Sequence, residues 1–493
     1  MTEPRRSLWR HADFLKLWTA ESISQVGTQV TQLALPLAAI VVLEATPFEV
    51  ALLGTIEFLP FILLGLPAGV WVDRLRRRPI LIAGDLGRAI ALGSIPIAFV
   101  LGVLTIWQLY VVGFVVGCFT VFFDVAYQSY LPSIVERDDL VEGNAKLEIS
   151  RSGAALVGPT IAGVLVEWLK APVAILVDSI SYLGSALFVF LIRRHEPEPV
   201  HPDVAAGGER PKMRQDIAQG LRYVLGHRYL RWIALSTAVS NLFSNMLFAI
   251  YLVYVVRELG LSAGTIGVIF AIGNIGFLTG AVVASRLERL TGLGLAIVLG
   301  AVLAAIGVLL IPLATAGTAF VLLVAAGLLV GFGNVVYNVN QVSFRQAITP
   351  ERMQGRMNAT MRFIVWGTIP VGSLVGGVLG TAIGLLPTIW IGAIGGLTAI
   401  LPLVLTPVRS LRRIPTSPEE YEAVEAARTG RAAAGGVTAA EVTAAEDGAA
   451  SAQGAVAAAM EAEDAMPGVV AGAGPMPSPG WEPVAANDDP LAP

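Results

Sequence analysis

Twelve long apolar runs divide this chain, and they constrain its fold more than any other feature. A helix needs ~20 apolar residues to cross the hydrocarbon of a bilayer. The runs fall at 14–43, 48–72, 79–102, 106–128, 145–167, 171–192, 229–256, 263–285, 292–313, 318–341, 357–384 and 386–406. Only 14% of the 493 residues are charged, against roughly a quarter in soluble domains. The expectation is an all-α membrane protein with twelve transmembrane helices in two six-helix, pseudo-symmetric halves, with the lipid bilayer as its solvent.

Basic residues set the orientation. Arg5, Arg6, Arg10 and Lys16 precede or open span 1, and Arg74, Arg76, Arg77 and Arg78 follow span 2. Arg137 and Lys146 follow span 4, and a basic set from Arg193 to Arg231 surrounds the long middle loop. Arg286 and Arg289 follow span 8, Arg345, Arg352 and Arg356 follow span 10, and Arg409, Arg412 and Arg413 follow span 12. The other side carries only Lys170 and Arg257. Short loops rich in Lys and Arg stay in the cytoplasm. Both termini are therefore expected to be cytoplasmic, in a multi-pass protein of the plasma (inner) membrane. No cleaved signal peptide is expected, because the first apolar run is itself a span. The single cysteine, Cys118, allows no internal disulfide.

The expected organisation is a first bundle over 1–192, a cytoplasmic linker over 193–228, a second bundle over 229–408 and a tail over 409–493. From residue 415 onward the tail holds 13 acidic and 2 basic residues. It is rich in Ala, Gly and Pro, and its composition predicts disorder. The two halves repeat at an offset of 214 residues. Gly113 and Gly117 meet Gly327 and Gly331, Asp124 meets Asn338, and Asn144-Ala145 meets Asn358-Ala359. Gly153, Gly158 and Gly163 meet Gly367, Gly372 and Gly377. Duplicated helical halves are a transporter architecture, with the substrate site between them.

Between spans 2 and 3 the chain reads GLPAGVWVDRLRRRP, from Gly65 to Pro79. Gly65 and Gly69, four residues apart, are expected to let a neighbouring helix come close. The order Gly69, Asp73, Arg74, Arg77, Arg78 is similar to the conformational-switch motif of the major facilitator superfamily. The resemblance covers about residues 10–408. One position departs, because Arg76 stands where that family usually has glycine. The resemblance implies that Asp73 meets the N-terminal end of span 11, near Met357 and Asn358. A helix N-terminus attracts an anion. In span 5, Gly153, Gly158, Pro159 and Gly163 resemble part of a signature carried by drug:proton antiporters. The loop from Asp124 through Leu131-Pro132 to Asn144-Ala145 adds to this likeness. The chain is most like the branch that includes macrolide and siderophore (enterobactin-type) exporters.

An ionisable group inside a span is costly and asks for a function. Histidines His11, His195, His201 and His227 all fall in expected cytoplasmic segments, so proton coupling would rest on carboxylates. Glu57 lies ~14 Å into span 2, near the midplane; it either exchanges protons or is locked to a polar neighbour. Glu21, Gln25, Gln29 and Gln32 form a stripe on span 1, facing the cavity or a helix seam. Asp124 is a further proton-coupling candidate or an anchor for the loop near Arg74 and Arg77. Asp178, three residues before Ser181, is expected to be structural. Arg151 is the cationic candidate, with Glu148 at a spacing that permits an ion pair.

The second half offers neutral groups instead: Asn241 and Asn245 on span 7, and Asn334, Tyr337, Asn338 and Gln341 on span 10. The expectation is a first half that handles protons and a second half that contacts substrate. The functional expectation is a proton-coupled exporter of amphipathic small molecules of the drug, macrolide or siderophore class, with a small-molecule substrate and protons as its partners, acting as a monomer. The alternatives are an importer or facilitator with the same fold, or a membrane enzyme. The sequence has no His-x-x-x-His pair, no Cys/His metal spacing, no Gly-x-Ser-x-Gly and no nucleotide-binding loop. No cofactor, no metal and no nucleic acid is therefore expected.

Overall fold

The computed structural model describes residues 8–72, 75–136, 139–193 and 213–413. Residues 414–493, most of the middle linker, Asp73 and Arg74 lie outside the described residues. The first half comprises α1 (Ala12–Leu37), α2 (Pro47–Val72), α3 (Arg77–Val100), α4 (Ile106–Ile134), α5 (Leu140–Leu169) and α6 (Ala171–Phe190). A short helix, α7 (Met213–Gly226), precedes the second half. That half comprises α8 (Leu230–Arg257), α9 (Ala263–Thr291), α10 (Leu293–Leu310), α11 (Ala319–Ile348), α12 (Glu351–Trp366), α13 (Thr368–Ala382) and α14 (Leu385–Leu397). Helices α12 and α13 form one span broken at Gly367, so twelve helices among the described residues are long and apolar enough to cross a bilayer. Large apolar side chains such as Ile90, Val100, Trp107, Trp168 and Val321 point outward, as lipid contact requires.

The helices outrun their apolar runs at one face. The fourth run ends at 128, but α4 continues to Ile134, and α11 continues to Ile348. Thirty residues of α11 reach ~45 Å, well beyond the ~30 Å of hydrocarbon. Apolar side chains are needed only inside the lipid, so polar residues carry the helix further. The middle linker also differs from the expected polar loop. Helix α7 lies against α12 and the end of α11: Gly220 fits against Arg356 and Thr360, and Tyr223 donates to the carbonyl of Ile348 at 3.3 Å.

The repeat read at 214 residues is a repeat of packing. Gly113 and Gly117 on α4 receive Glu57 and Pro60 of α2. Their counterparts Gly327 and Gly331 on α11 receive Gly273 and Phe277 of α9. Gly158 on α5 meets Gln29 of α1, while Gly372 on α13 meets Leu242 of α8. Gly163 abuts Ala263 and Gly264 at the start of α9, and Gly377 abuts Pro47, Phe48 and Ala51 at the start of α2. Even the corners match. Lys170 turns α5 into α6 with φ of 68°, and Gly384, 214 residues on, turns α13 into α14 with φ of 93°. Glycine is at ease in that left-handed conformation and lysine is not.

The two halves meet along α5 with α9 and along α2 with α13. Polar ties cluster at the face opposite the basic loops. Arg257 donates to the carbonyls of Ile40 and Ala45 at 3.2 and 2.8 Å. Glu167 accepts from the amide of Gly264 at 2.9 Å and from Ser262 Oγ at 3.2 Å. The amide of Phe48 donates to Thr381 Oγ1 at 3.2 Å. That face is closed, and the small residues make the closure tight. A Cβ on Gly267 would clash with the carbonyl oxygen of Pro159.

A Gly267→Val substitution is therefore expected to hold the closed face apart. Overpacking costs about 1–3 kcal/mol, which moves a two-state equilibrium roughly 5- to 150-fold. Spin labels on Thr46→Cys and Ile383→Cys, in a Cys118→Ser background, should report a longer distance. An unchanged distance distribution would show that Gly267 does not set the closure.

Candidate functional site

Between the halves lies a cavity of about 640 Å³. Its charged wall comes wholly from the first half: Glu21 of α1, Glu57 of α2, Arg88 of α3, Asp124 of α4, Arg151 of α5 and Asp178 of α6. Gln25, Thr28 and Gln32 complete the α1 edge. Asp124 and Arg151 are exposed, whereas Leu35 and Ala51 at the far end are buried. The cavity thus opens toward the basic face.

Glu57 has no hydrogen-bond or ion-pair partner among the described residues. Glycine at 113 makes room for it, since a Cβ there would stand 2.9 Å from Glu57 Cγ. Asp124 likewise has no such partner among the described residues, whereas Glu21 and Asp178 are engaged. Glu21 accepts from Gln25 Nε2 at 2.6 Å. Asp178 is fully buried and accepts from Thr31 Oγ1 and, at 3.0 Å, from Ser181 Oγ. Arg151 and Glu148 form no ion pair, so the spacing that permitted one goes unused, and Arg151 lines the cavity instead.

Arg88 ties this wall to the buried Asp85, a pair outside the sequence expectations. Arg88 donates to Asp85 Oδ1 at 2.6 Å, and both side chains are buried. The guanidinium lies between the rings of Phe123 and Tyr182, 4.1 Å from each centroid. Tyr182 in turn shares a hydrogen bond with Thr28 at 2.9 Å. The Arg88 charge also acts on Glu21, Asp124 and Asp178. The visible signal was an Asp and an Arg three apart inside the apolar run 79–102.

Other expected residues fall elsewhere. Gln29 leaves the cavity stripe and packs into the α1–α5 seam at Gly158. Gln341 is buried and donates to Asn338 Oδ1 at 2.8 Å. Gly158, Pro159 and Gly163 sit at helix contacts, and Gly153 faces open space. Gly65 was expected to admit a neighbouring helix, but nothing lies within 4 Å of a Cβ placed there. Gly69 belongs to α2. Arg77 opens α3, and Arg78 donates to the carbonyls of Val189 and Phe190 at 3.3 and 2.5 Å, pinning α3 to the end of α6. The expected contact of Asp73 with span 11 lies outside the described residues.

A second cavity, of about 480 Å³, lies within the second half. Asn241, Asn245, Asn334, Tyr337 and Asn338 line it, together with Ser240, Ser244 and Trp366. Tyr337 and Thr237 share a hydrogen bond at 2.7 Å, and Asn245 donates to the carbonyl of Asn241 at 2.8 Å. Among the described residues no charged one lines this cavity, and Asn245 and Phe248 belong to the walls of both.

Twelve spanning helices in two repeated halves around a central cavity define a membrane transporter. A family model of the Major Facilitator Superfamily matches residues 17–366 and, in a second overlapping match, 233–440. The chain belongs to the Major Facilitator Superfamily. It is 24% identical over 388 residues to the uncharacterized MFS-type transporter YfiS of Bacillus subtilis, covering 77% of this chain and 87% of that protein. It is 23% identical over 180 residues to macrolide efflux protein A of Streptococcus pyogenes, covering 36% of this chain and 44% of that one. The fold is similar to a bacterial homologue of the iron transporter ferroportin in its inward-facing state. The TM-score is 0.66 and the identity 17%, over 81% of this chain and 99% of that one.

Proposed function

We propose that the protein is a proton-coupled exporter of amphipathic small molecules, working by alternating access in the plasma membrane with both termini in the cytoplasm. The observation that carries this reading is Glu57, a carboxyl group with no partner among the described residues, in the cavity between the halves. Such a group is free to take up a proton from one side and release it to the other as the halves rock. The acid-bearing wall belongs to one half and the neutral polar wall to the other, which separates proton handling from substrate contact. Aromatic groups such as Phe58, Phe61 and Phe248 offer the apolar contacts that an amphipathic ligand needs. The glycine and proline positions of α5 and the partial likeness to macrolide efflux protein A support export. With the basic face in the cytoplasm, the cavity is open inward.

Inverted membrane vesicles carrying the protein should accumulate a lipophilic dye when a pH gradient is imposed. An uncoupler should abolish that uptake. Uptake that ignores the uncoupler would count against proton coupling, and uptake only in right-side-out vesicles would count against export.

A further inference from the structure

The second-half cavity holds polar groups that the fold itself does not use. Ser240, Ser244 and Asn334 line it, and none has a hydrogen-bond partner among the described residues. Ser240 and Ser244 are half-buried and Asn334 is exposed, so their hydrogen-bonding capacity is left to water or a ligand in this space. Ser240 and Ser244 stand one helical turn apart on α8, so their hydroxyls fall on one face. Asn334 faces them from α11. Among the described residues no carboxylate or cation lines this space, which makes it a poor host for a charged group. At about 480 Å³ it is within the range of small-molecule sites. Phe248 is the partition: it forms part of the wall of this cavity, of the central cavity and of a third, apolar cavity of about 200 Å³.

We infer that this cavity is a separate docking compartment for an uncharged, multiply hydroxylated group, of the glycosyl or polyol class, carried by an amphipathic substrate. This inference rests on the transport reading above. The hydroxyl-rich group exchanges hydrogen bonds with Ser240, Ser244 and Asn334, and Phe248 keeps it apart from the charged wall around Glu57. Substrate recognition is then divided between two compartments of opposite character. A ligand with both a protonatable amine and a hydroxyl-rich appendage would use both.

The test uses the full chain in detergent-free lipid nanodiscs and two probes. One is 4-nitrophenyl β-maltoside, an uncharged aryl glycoside. The other is tetraphenylphosphonium, a lipophilic cation without hydroxyls. Both should bind the unaltered protein. The double variant Ser240→Ala, Ser244→Ala should weaken glycoside binding about tenfold or more, since two hydrogen bonds of ~1 kcal/mol each are lost. It should leave tetraphenylphosphonium binding within twofold, which also reports that the variant is folded. Ser240→Thr, which keeps the hydroxyl, should retain glycoside binding. Glycoside affinity untouched by the double variant would overturn the inference, as would an equal loss of both probes. Cation binding without any glycoside binding would overturn the compartment but leave the transport reading standing. Failure of both probes to bind the unaltered protein would count against both.

Discussion

A Glu57→Gln variant is expected to reach the membrane in normal amount and to lose proton-driven efflux. Glutamine has nearly the same shape, so the fit of the side chain beside Gly113 and the α2–α4 contact survive. What disappears is the exchangeable proton. The loss should be about tenfold or more, because the coupled step is removed rather than tuned, and 1.4 kcal/mol is already a factor of ten. Downhill exchange of substrate across the membrane should persist, since it needs the halves to rock but no proton. The measurement is paired: dye efflux against a gradient, and counterflow without one, in the same proteoliposomes. Undiminished uphill transport would remove Glu57 from the mechanism. Loss of both activities would make it a substrate or packing residue instead.

An Arg88→Ala variant is expected to be severely unstable. The change leaves Asp85 buried without its cation and removes the contact with two aromatic rings. Breaking one side of a buried pair costs about 3–5 kcal/mol. Lysine should not rescue it, because a point charge cannot stack between Phe123 and Tyr182 as a planar guanidinium does. Removing both charges, as Asp85→Asn with Arg88→Met, should recover much of the loss, since no unpaired charge then remains. Thermal unfolding followed by size-exclusion recovery in mild detergent measures each variant. A stable Arg88→Ala protein, or a double variant worse than the single one, would contradict the account.

The bilayer made much of the fold readable. Each span had to present about twenty apolar residues, so twelve runs gave twelve helices, and glycines 214 residues apart marked repeated helix contacts. The parts that escaped have physical causes. Helix ends beyond the lipid carry no apolar signature, so α4 and α11 extend past their runs. Helix α7 is only 14 residues long and sits in a polar stretch, and its place depends on α12. The polar pattern of span 1 places Gln29 in the cavity stripe, yet eight residues along a helix of 3.6 per turn turn it away from Glu21 toward α5. Gly65 lacks the neighbour that its spacing anticipated. Asp85 and Arg88 were in plain view as a charged pair in an apolar run. Their aromatic partners come from α4 and α6, which no reading of span 3 alone could supply. The division between an acidic half and a neutral half was legible in composition. That Ser240 and Ser244 join the neutral wall was not, because serines are common at helix contacts.

The central claim is a cavity between the halves, reachable from one face at a time. Gly54 lines that cavity, and nothing lies within 4 Å of a Cβ placed there. A Gly54→Cys substitution in a Cys118→Ser background therefore adds a thiol without disturbing the packing. With the proposed orientation, a membrane-impermeant maleimide should label it in inverted vesicles and spare it in right-side-out vesicles. Labelling from neither face, or equal labelling from both in the resting protein, would contradict the account.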